Sequence, residues 1–456
     1  MRTFDVVVIG AGPAGEVAAG RLGGAGLSVA IVEDRLVGGE CSFWACMPSK
    51  GLLRPYEALA EALRIPGAAD AVTGQLNVQA VLDRRDEIIH DLDDSSQLPW
   101  LEQRGVTLVR GAGVLAGERR VRVGDEELEA TRAVILATGS LPAMPPIEGL
   151  GDIDDAWTNR EATTAKAIPE RLVIMGGGVV GVEMAQAFQT LGSQVTLIEG
   201  ERRLLPREEE YACAQVTDAL AEYGVDIRTG QRASAVQERD STVVVTTEDG
   251  GTAEGDTLLV ALGRTPQTQG LGLETVGLPA DRPVAVDARM QVDGQPWLYA
   301  IGDVNGRALF THMGKYQGRI AADHILGSDT ALSHGADGAL SPRVIFTEPQ
   351  VAAVGHTAAT AEQAGIEVQI VETTTSGNAG GSFYGRNAPG TARLLIDRER
   401  HIVVGATITG AEVGEMLHAA TIAIVAEIPL ERLRHAVPCF PTRSEIWLAL
   451  LEQAGV

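Results

Sequence analysis

Cysteines, aromatics and cations are all scarce in this chain of 456 residues, and each shortage excludes something. Four cysteines are too few to staple a secreted disulfide scaffold of such length. Lys and Arg number 37 against 61 Asp and Glu, and the net charge of −24 argues against nucleic acid and anionic membrane surfaces as partners. No apolar run reaches the roughly 18 residues of a membrane span, so none is expected. The opening MRTFDVVVIG leads straight into a strand pattern without the marks of a signal peptide, and a cytoplasmic protein is the expectation. Aromatic residues make up 4% while glycines number 54, a composition of turns and close backbone approaches rather than of disorder. The length predicts two to four domains.

Two of the four cysteines stand together. GGECSFWACMPSK, from Gly38, sets Cys41 and Cys46 five positions apart between paired glycines and a proline. A redox couple, half of a metal site and two core cysteines are the three readings such a pair allows.

The segment before them is more specific. FDVVVIGAGPAGEVAAGRLGGAGLSVAIVED reads as a buried strand, a glycine turn, an Ala-rich helix and a second strand ending in acid. Gly10, Gly12 and Gly15 have the G-x-G-x-x-G spacing, and Glu33 lies 23 residues beyond Gly10. Glycines permit the turn and the close approach of a pyrophosphate, the helix N-terminus faces its charge, and the carboxylate accepts from a ribose hydroxyl. RLVIMGGGVVGVEMAQAFQTLGSQVTLIEG repeats the pattern with Gly176, Gly178, Gly181 and Glu199. Two such sites in one chain imply two dinucleotides. Glu199 would bond a 2′-hydroxyl and repel a 2′-phosphate, favouring NADH over NADPH, although Arg202 and Arg203 just beyond it could reverse that preference.

ILATGSLP ends a strand before a Pro-rich crossing, ALGRTP reads as the return crossing, and LYAIGDV as a strand ending in a Gly-Asp turn. The second fingerprint therefore sits inside the first domain. After GRIAADHILG the pattern turns to alternating segments, RVIFTEPQVAAVG and ARLLIDRERHIVVGATITG, followed by helices from Glu412 onward. The predicted fold is α/β, with two Rossmann-like dinucleotide-binding domains and a C-terminal α+β domain. The expected boundaries are residues 1–145, an inserted domain at 146–269, a continuation of the first at 270–335, and 336–456.

Together these residues resemble the flavoprotein disulfide reductases, the family of dihydrolipoamide dehydrogenase, glutathione reductase and mercuric reductase. The likeness spans essentially the whole chain: both fingerprints, the C-x4-C-x-P-S-K run, the ATG turn, the GRTP and AIGD turns and VIFTEP. It implies FAD on the first fingerprint and NADH, with NADPH the alternative, on the second. It also implies a homodimer whose C-terminal segment completes the partner's active site, and a small-molecule electron acceptor or donor. By the same resemblance Gly39, Thr138, Gly139 and Asp303 would help hold FAD, and Gly263 the nicotinamide cofactor. Lys50 and Glu183 would pair near the reactive edge of the flavin.

Against that background the cysteine pair reads as a redox disulfide. A zinc site needs about four ligands, and no histidine precedes His90. Residues five apart on one regular helix point about 140° away from each other, so a bridge requires Cys41 in a loop and Cys46 at a helix mouth, with Pro48 in its first turn. The helix end favours thiolate at Cys46, which would face the flavin, while Cys41 exchanges with substrate. Phe43 and Trp44 between them either line a substrate channel or pack inward.

The chain departs from the family at its C-terminus. Relatives that reduce disulfides carry H-P-T-x-S-E, whose histidine manages thiol protons and whose glutamate orients it. Here RLRHAVPCFPTRSEIW keeps Glu445 but puts Phe440 at the histidine position; the alternative register retains His435 and puts Val437 there. General acid–base catalysis contributes roughly 10²- to 10⁴-fold, so ordinary thiol–disulfide exchange should be slowed. Two functions follow: a dihydrolipoamide dehydrogenase-like disulfide or dithiol oxidoreductase lacking its base, or a reductase of quinones and other small electrophiles. Cys439 is a third redox thiol, a soft-metal ligand or a buried bystander, and Cys213 is structural.

Overall fold

A computed structural model describes residues 1–332 and 337–456, and the boundary expected at 335/336 lies outside them. The chain divides into two compact units. Residues 1–48, 86–142 and 264–339 form the first; 49–85, 143–263 and 340–456 form the second.

In the first unit β1 (Arg2–Ile9) carries the run Val6–Ile9, buried at every position, as expected of a parallel strand covered on both faces. It pairs in parallel with β2 (Val29–Glu33) and with the long strand Glu126–Leu136. The full path runs Gln291–Val292, Gln295–Ala300, Glu126–Leu136, β1, β2, Val106–Arg110. Helix α1 (Pro13–Gly24) makes the crossover between β1 and β2, starting at a proline whose missing N–H costs nothing in a first turn. It packs against the helix Thr311–Ile325 through small residues: a Cβ on Gly318 would lie 2.7 Å from the Ala14 carbonyl oxygen. The short helix α2 (Gly39–Phe43) and the first turn of α3 (Cys46–Arg64) also belong to this unit.

The second unit contains the repeat of that plan and a different sheet. Asp226–Thr229, Gln194–Glu199, Arg171–Met175 and Thr257–Val260 form a parallel sheet, with the helix Val179–Thr190 crossing from the third of these to the second. A three-stranded antiparallel sheet, Ala233–Arg239, Thr242–Thr247 and Thr252–Gly255, packs Val236 and Val245 into the same core as Val173 and Val260. The C-terminal region is a five-stranded antiparallel sheet in the order Arg343–Ile345, Gln350–Gly355, Ile402–Gly410, Thr391–Asp397, Val368–Thr374.

Its central strand departs from the alternating pattern expected of it. Ile402–Gly410 is buried at all positions. The helix Leu417–Val425 packs on it, and the helix Glu210–Glu222 brings Tyr211, whose hydroxyl donates to the Thr407 carbonyl at 2.6 Å. A strand covered on both faces has no solvent side to alternate with. No helix among the described residues is long and apolar enough to cross a membrane.

Candidate active site

The first fingerprint is shaped by close approach. A Cβ on Gly10, whose φ is +103°, would collide with the Ala137 carbonyl, and one on Gly15 would collide with the Gly10 carbonyl. Gly12 differs: a Cβ there would meet nothing within 4 Å, and no side chain caps the N-terminus of α1. The turn thus leaves the helix N–H groups open to an anion, which fits the pyrophosphate of a dinucleotide. At the end of β2 the Glu33 carboxylate accepts from the Ala11 N–H at 2.7 Å and the Arg35 N–H at 2.9 Å. Burial pushes Glu33 above the usual carboxylate range, and those two N–H groups oppose it. A carboxylate has about four acceptor positions, and the two backbone donors leave capacity for a ribose hydroxyl.

The neighbouring turns converge on Asp303. Ser140 Oγ donates to its carboxylate at 2.6 Å, and Arg264 donates to Ser140 through Nε at 2.7 Å. Burial raises Asp303, while Ser140 and then Arg264 pull it back. Thr138 Oγ1 donates to the Gln267 carbonyl at 2.9 Å, and Gly139, at φ +74°, has no neighbour to meet a Cβ within 4 Å.

Cys41 and Cys46 fall in different helices. Cys41 lies in α2 rather than in the expected loop; Trp44, at φ −134°, ends that helix before Cys46 begins α3. The two cysteines therefore escape the angular separation that one continuous helix would impose. Both carry free thiols. Cys46 Sγ lies 3.4 Å from Thr311 Oγ1 at the start of the helix Thr311–Ile325. The Cys41 thiol is pushed up, first by its hydrogen bond to Cys46 and then by burial, while Thr311 and Lys315 pull it down. Phe43 packs inward at 1% exposure, and Trp44, half-buried, lies tilted against it at 5.8 Å.

In the second unit Gly176 and Gly181 repeat the collisions of their counterparts, with the Ala261 and Gly176 carbonyls, and Gly178 again leaves its turn open. Glu199 accepts from the Gly177 N–H at 2.6 Å and the Glu201 N–H at 2.7 Å. Arg203 is turned onto the Pro206 and Glu208 carbonyls, while Arg202 is exposed. Gly263 has φ +112° and no Cβ neighbour within 4 Å. Lys50 Nζ reaches Glu183 Oε2 at 2.8 Å and lies 4.6 Å from the centre of the Phe346 ring. The other Glu183 oxygen accepts from the Phe346 N–H at 2.9 Å. Glu183 is 3% exposed, so its charge depends on these partners.

At the C-terminus Cys439 is exposed, and so are Val437 (77%) and Phe440 (76%). His435 is exposed as well. Glu445 precedes the helix Ile446–Ala454, and its Oε2 is buried without a hydrogen-bond partner among the described residues. Cys213 donates to the Leu205 carbonyl at 3.1 Å, and burial raises it to about 11, as suits a packed thiol.

Four contributors escape sequence reasoning: Thr311, Lys315, Ser140 and Arg264. Each reaches its partner across more than a hundred residues of chain, and no spacing rule anticipates such contacts. Phe346 was legible only as part of VIFTEP, with nothing to say that its ring and N–H both serve the Lys50–Glu183 pair.

A family model described as "Pyridine nucleotide-disulphide oxidoreductase" matches residues 4–321, and that family's dimerisation domain matches 341–450. The chain is 33% identical over 453 residues to a dihydrolipoyl dehydrogenase of Thermus scotoductus, covering 98% of this chain and 96% of that one. It is 32% identical to a dihydrolipoyl dehydrogenase of Haloferax volcanii, over 99% and 96%. Among solved structures, the Cu(II) complex of the HOCl-induced flavoprotein disulfide reductase RclA from Escherichia coli superposes with a TM-score of 0.86 at 25% identity, over 99% of this chain and 100% of that one. LpdA from Mycobacterium tuberculosis gives the same score, identity and coverage. The chain belongs to the pyridine nucleotide-disulphide oxidoreductases, and is an FAD-dependent NAD(P)H:disulfide oxidoreductase.

Proposed function

We propose that this enzyme is an NADH-linked disulfide or dithiol oxidoreductase, laid out like dihydrolipoamide dehydrogenase, whose outer thiol works without a histidine base. One observation carries the reading: Phe440 stands where the imidazole is expected, and Glu445 Oε2 is left buried without a donor among the described residues. In this reading residues 1–145 and 270–335 bind FAD, 146–269 bind NADH, and 336–456 join the protomers. The dimerisation-domain match supports a homodimer, and four cysteines in so long a chain suit a reducing cytoplasm.

Gly10, Gly12, Gly15, Glu33, Gly39, Thr138, Gly139 and Asp303 would hold FAD, which when bound carries electron pairs between nicotinamide and thiols. Gly176, Gly178, Gly181, Glu199 and Gly263 would hold NADH. The backbone N–H groups on Glu199 keep its carboxylate at the strand end, where it repels a 2′-phosphate, and Arg203 is drawn away onto carbonyls. Lys50, fixed by Glu183, offers a cation to developing negative charge.

For disulfide reduction, Cys41 as thiolate attacks one sulfur of the substrate; the substrate S–S bond breaks and one thiol leaves with a proton. Cys46 then attacks the Cys41 sulfur, releasing the second thiol and closing the Cys41–Cys46 bridge. The N-terminus of α3 and the Thr311 hydroxyl favour the thiolate of Cys46. Run backwards, the same steps oxidise a dithiol and leave Cys41 and Cys46 as thiols, whose electron pair would go on to NAD⁺ through the bound flavin.

A second reading rests on the apolar character of the same turn. Val437 and Phe440 suit a quinone or similar electrophile, which needs no thiol proton managed. Rates of NADH oxidation with lipoamide, glutathione disulfide and quinones separate the two. Measurable lipoamide turnover that rises tenfold or more in Phe440→His supports the first reading. Rapid quinone reduction beside negligible disulfide turnover, unchanged in Phe440→His, overturns it.

A further inference from the structure

We propose that Lys315 supplies the positive charge beside Cys41 that an imidazolium supplies in relatives with the C-terminal histidine, holding Cys41 as the attacking thiolate. The inference rests on the disulfide-reductase reading above, and it concerns a residue outside every motif that led to that reading.

The argument begins with helix geometry. Lys315 follows Thr311 by four residues in the helix Thr311–Ile325, so the two share a face one turn apart. Thr311 is the residue whose hydroxyl lies 3.4 Å from Cys46 Sγ, and Cys46 in turn is hydrogen-bonded to Cys41. The face bearing Lys315 is therefore the face that meets the redox pair. The helix cannot roll away from it, because Gly314 and Gly318 are seated on Ala14 of α1; a Cβ at Gly314 would lie 3.2 Å from the Ala14 Cβ. Lys315 itself is exposed and makes no ion pair within 4 Å among the described residues. A flexible ammonium at that place can follow a charge that moves during reaction.

Its field reaches two groups. Cys41, raised by its bond to Cys46 and by burial, is pulled back by Thr311 and by Lys315. Glu16, in the first turn of α1, is pushed up by burial to about 7 and is likewise pulled down by Lys315, while Glu33 opposes. Two further charges lie on α2 and the Arg264 turn. Glu40 adjoins Cys41, but its carboxylate faces Arg264 at 3.6 Å, and that guanidinium is also fixed on Ser140. Those two charges are set against each other, and the charge of Lys315 is shared between Glu16 and Cys41.

Chemically the residue would act before bond exchange. With Lys315 near, the Cys41 proton leaves to solvent and the thiolate attacks the substrate sulfur; the departing thiolate is met by the same cation and takes its proton from water. No oxidant or reductant beyond NADH and the disulfide is required.

The test uses FAD-loaded enzyme reduced by NADH, with alkylation of Cys41 by iodoacetamide followed against pH in the native chain, Lys315→Met and Lys315→Arg. A surface cation at this range is worth about half to one pH unit, so Lys315→Met should move the alkylation midpoint upward by that much. Alkylation and disulfide turnover at pH 7 should then fall roughly 3- to 10-fold, and Lys315→Arg should restore both. Flavin content and NADH:ferricyanide turnover check that the variants are folded. A midpoint in Lys315→Met that stays within about 0.2 unit of the native one overturns the proposal. If the native enzyme reduces no disulfide, the reductase reading fails on its own, while the alkylation midpoint still decides the role of Lys315.

Discussion

Gly39 and Gly12 touch: a Cβ on Gly39 would lie 2.8 Å from the Gly12 Cα. The start of the cysteine-bearing helix is thereby pressed against the turn that receives the dinucleotide. Gly39 also has φ +58°, a conformation that costs an L-residue about 1 to 2 kcal/mol. Gly39→Ala should push the two turns apart and release FAD. The flavin-to-protein ratio of purified Gly39→Ala should fall below about half of the native ratio, and full occupancy would show that this approach is dispensable.

The Lys50–Glu183 pair predicts an asymmetry in stability. Glu183→Ala leaves the Phe346 N–H and the Lys50 ammonium without their acceptor, at a cost of about 2 to 4 kcal/mol. The double variant Lys50→Met/Glu183→Gln removes both charges and should regain more than half of that loss. Denaturant unfolding of the FAD-loaded enzyme measures both, and equal loss in the single and double variants would contradict the expectation.

Glu16 predicts a dependence of stability on pH. Its folded value of about 7 lies above the ordinary 4.5, so the folded state binds more proton than the unfolded state between those values. Stability from this group is complete below pH 4.5 and is lost as pH rises through 7. Glu16→Gln, which never ionises, should come close to the native enzyme at about pH 4 and exceed it at pH 8 by roughly 1 to 3 kcal/mol. Thermal unfolding at the two pH values gives the difference, and a gap independent of pH would rule this origin out.

The two thiols should be separable by absorbance. One equivalent of NADH added without oxygen should produce a band to the red of the flavin's own spectrum, arising from the Cys46 thiolate. Cys46→Ser should lack the band throughout, while Cys41→Ser, which has no bridge to reduce, should show it before any NADH is added and lose disulfide turnover. A red-shifted band persisting in Cys46→Ser would reverse the assignment of inner and outer thiol.

Both nucleotide-binding folds were legible because their signal is local: strand, glycine turn, helix and acidic strand end all lie within about 30 residues of chain. The central strand Ile402–Gly410 was misread as alternating because its outer face is covered by the helix Glu210–Glu222, nearly two hundred residues earlier. Cys41 was expected in a loop because one regular helix cannot bridge residues five apart; Trp44 breaks the helix instead, by backbone conformation, with no proline or glycine to mark the place. The site's polar supports failed to register for the same reason as the strand. Ser140 meets Asp303 and Thr311 meets Cys46 through the fold, and side-chain identity at one position says nothing about its distant neighbour. Phe440, by contrast, was visible at once, since a missing residue in an ordered motif is a purely sequential fact.

The helix break at Trp44 has a mechanical side. Because Cys41 and Cys46 hang from separate helices, the bridge that the proposed function requires would open and close by rotation of two short side chains. On the proposed reading the scaffold works as a rigid anvil: each cycle turns a few single bonds and leaves the backbone as it was.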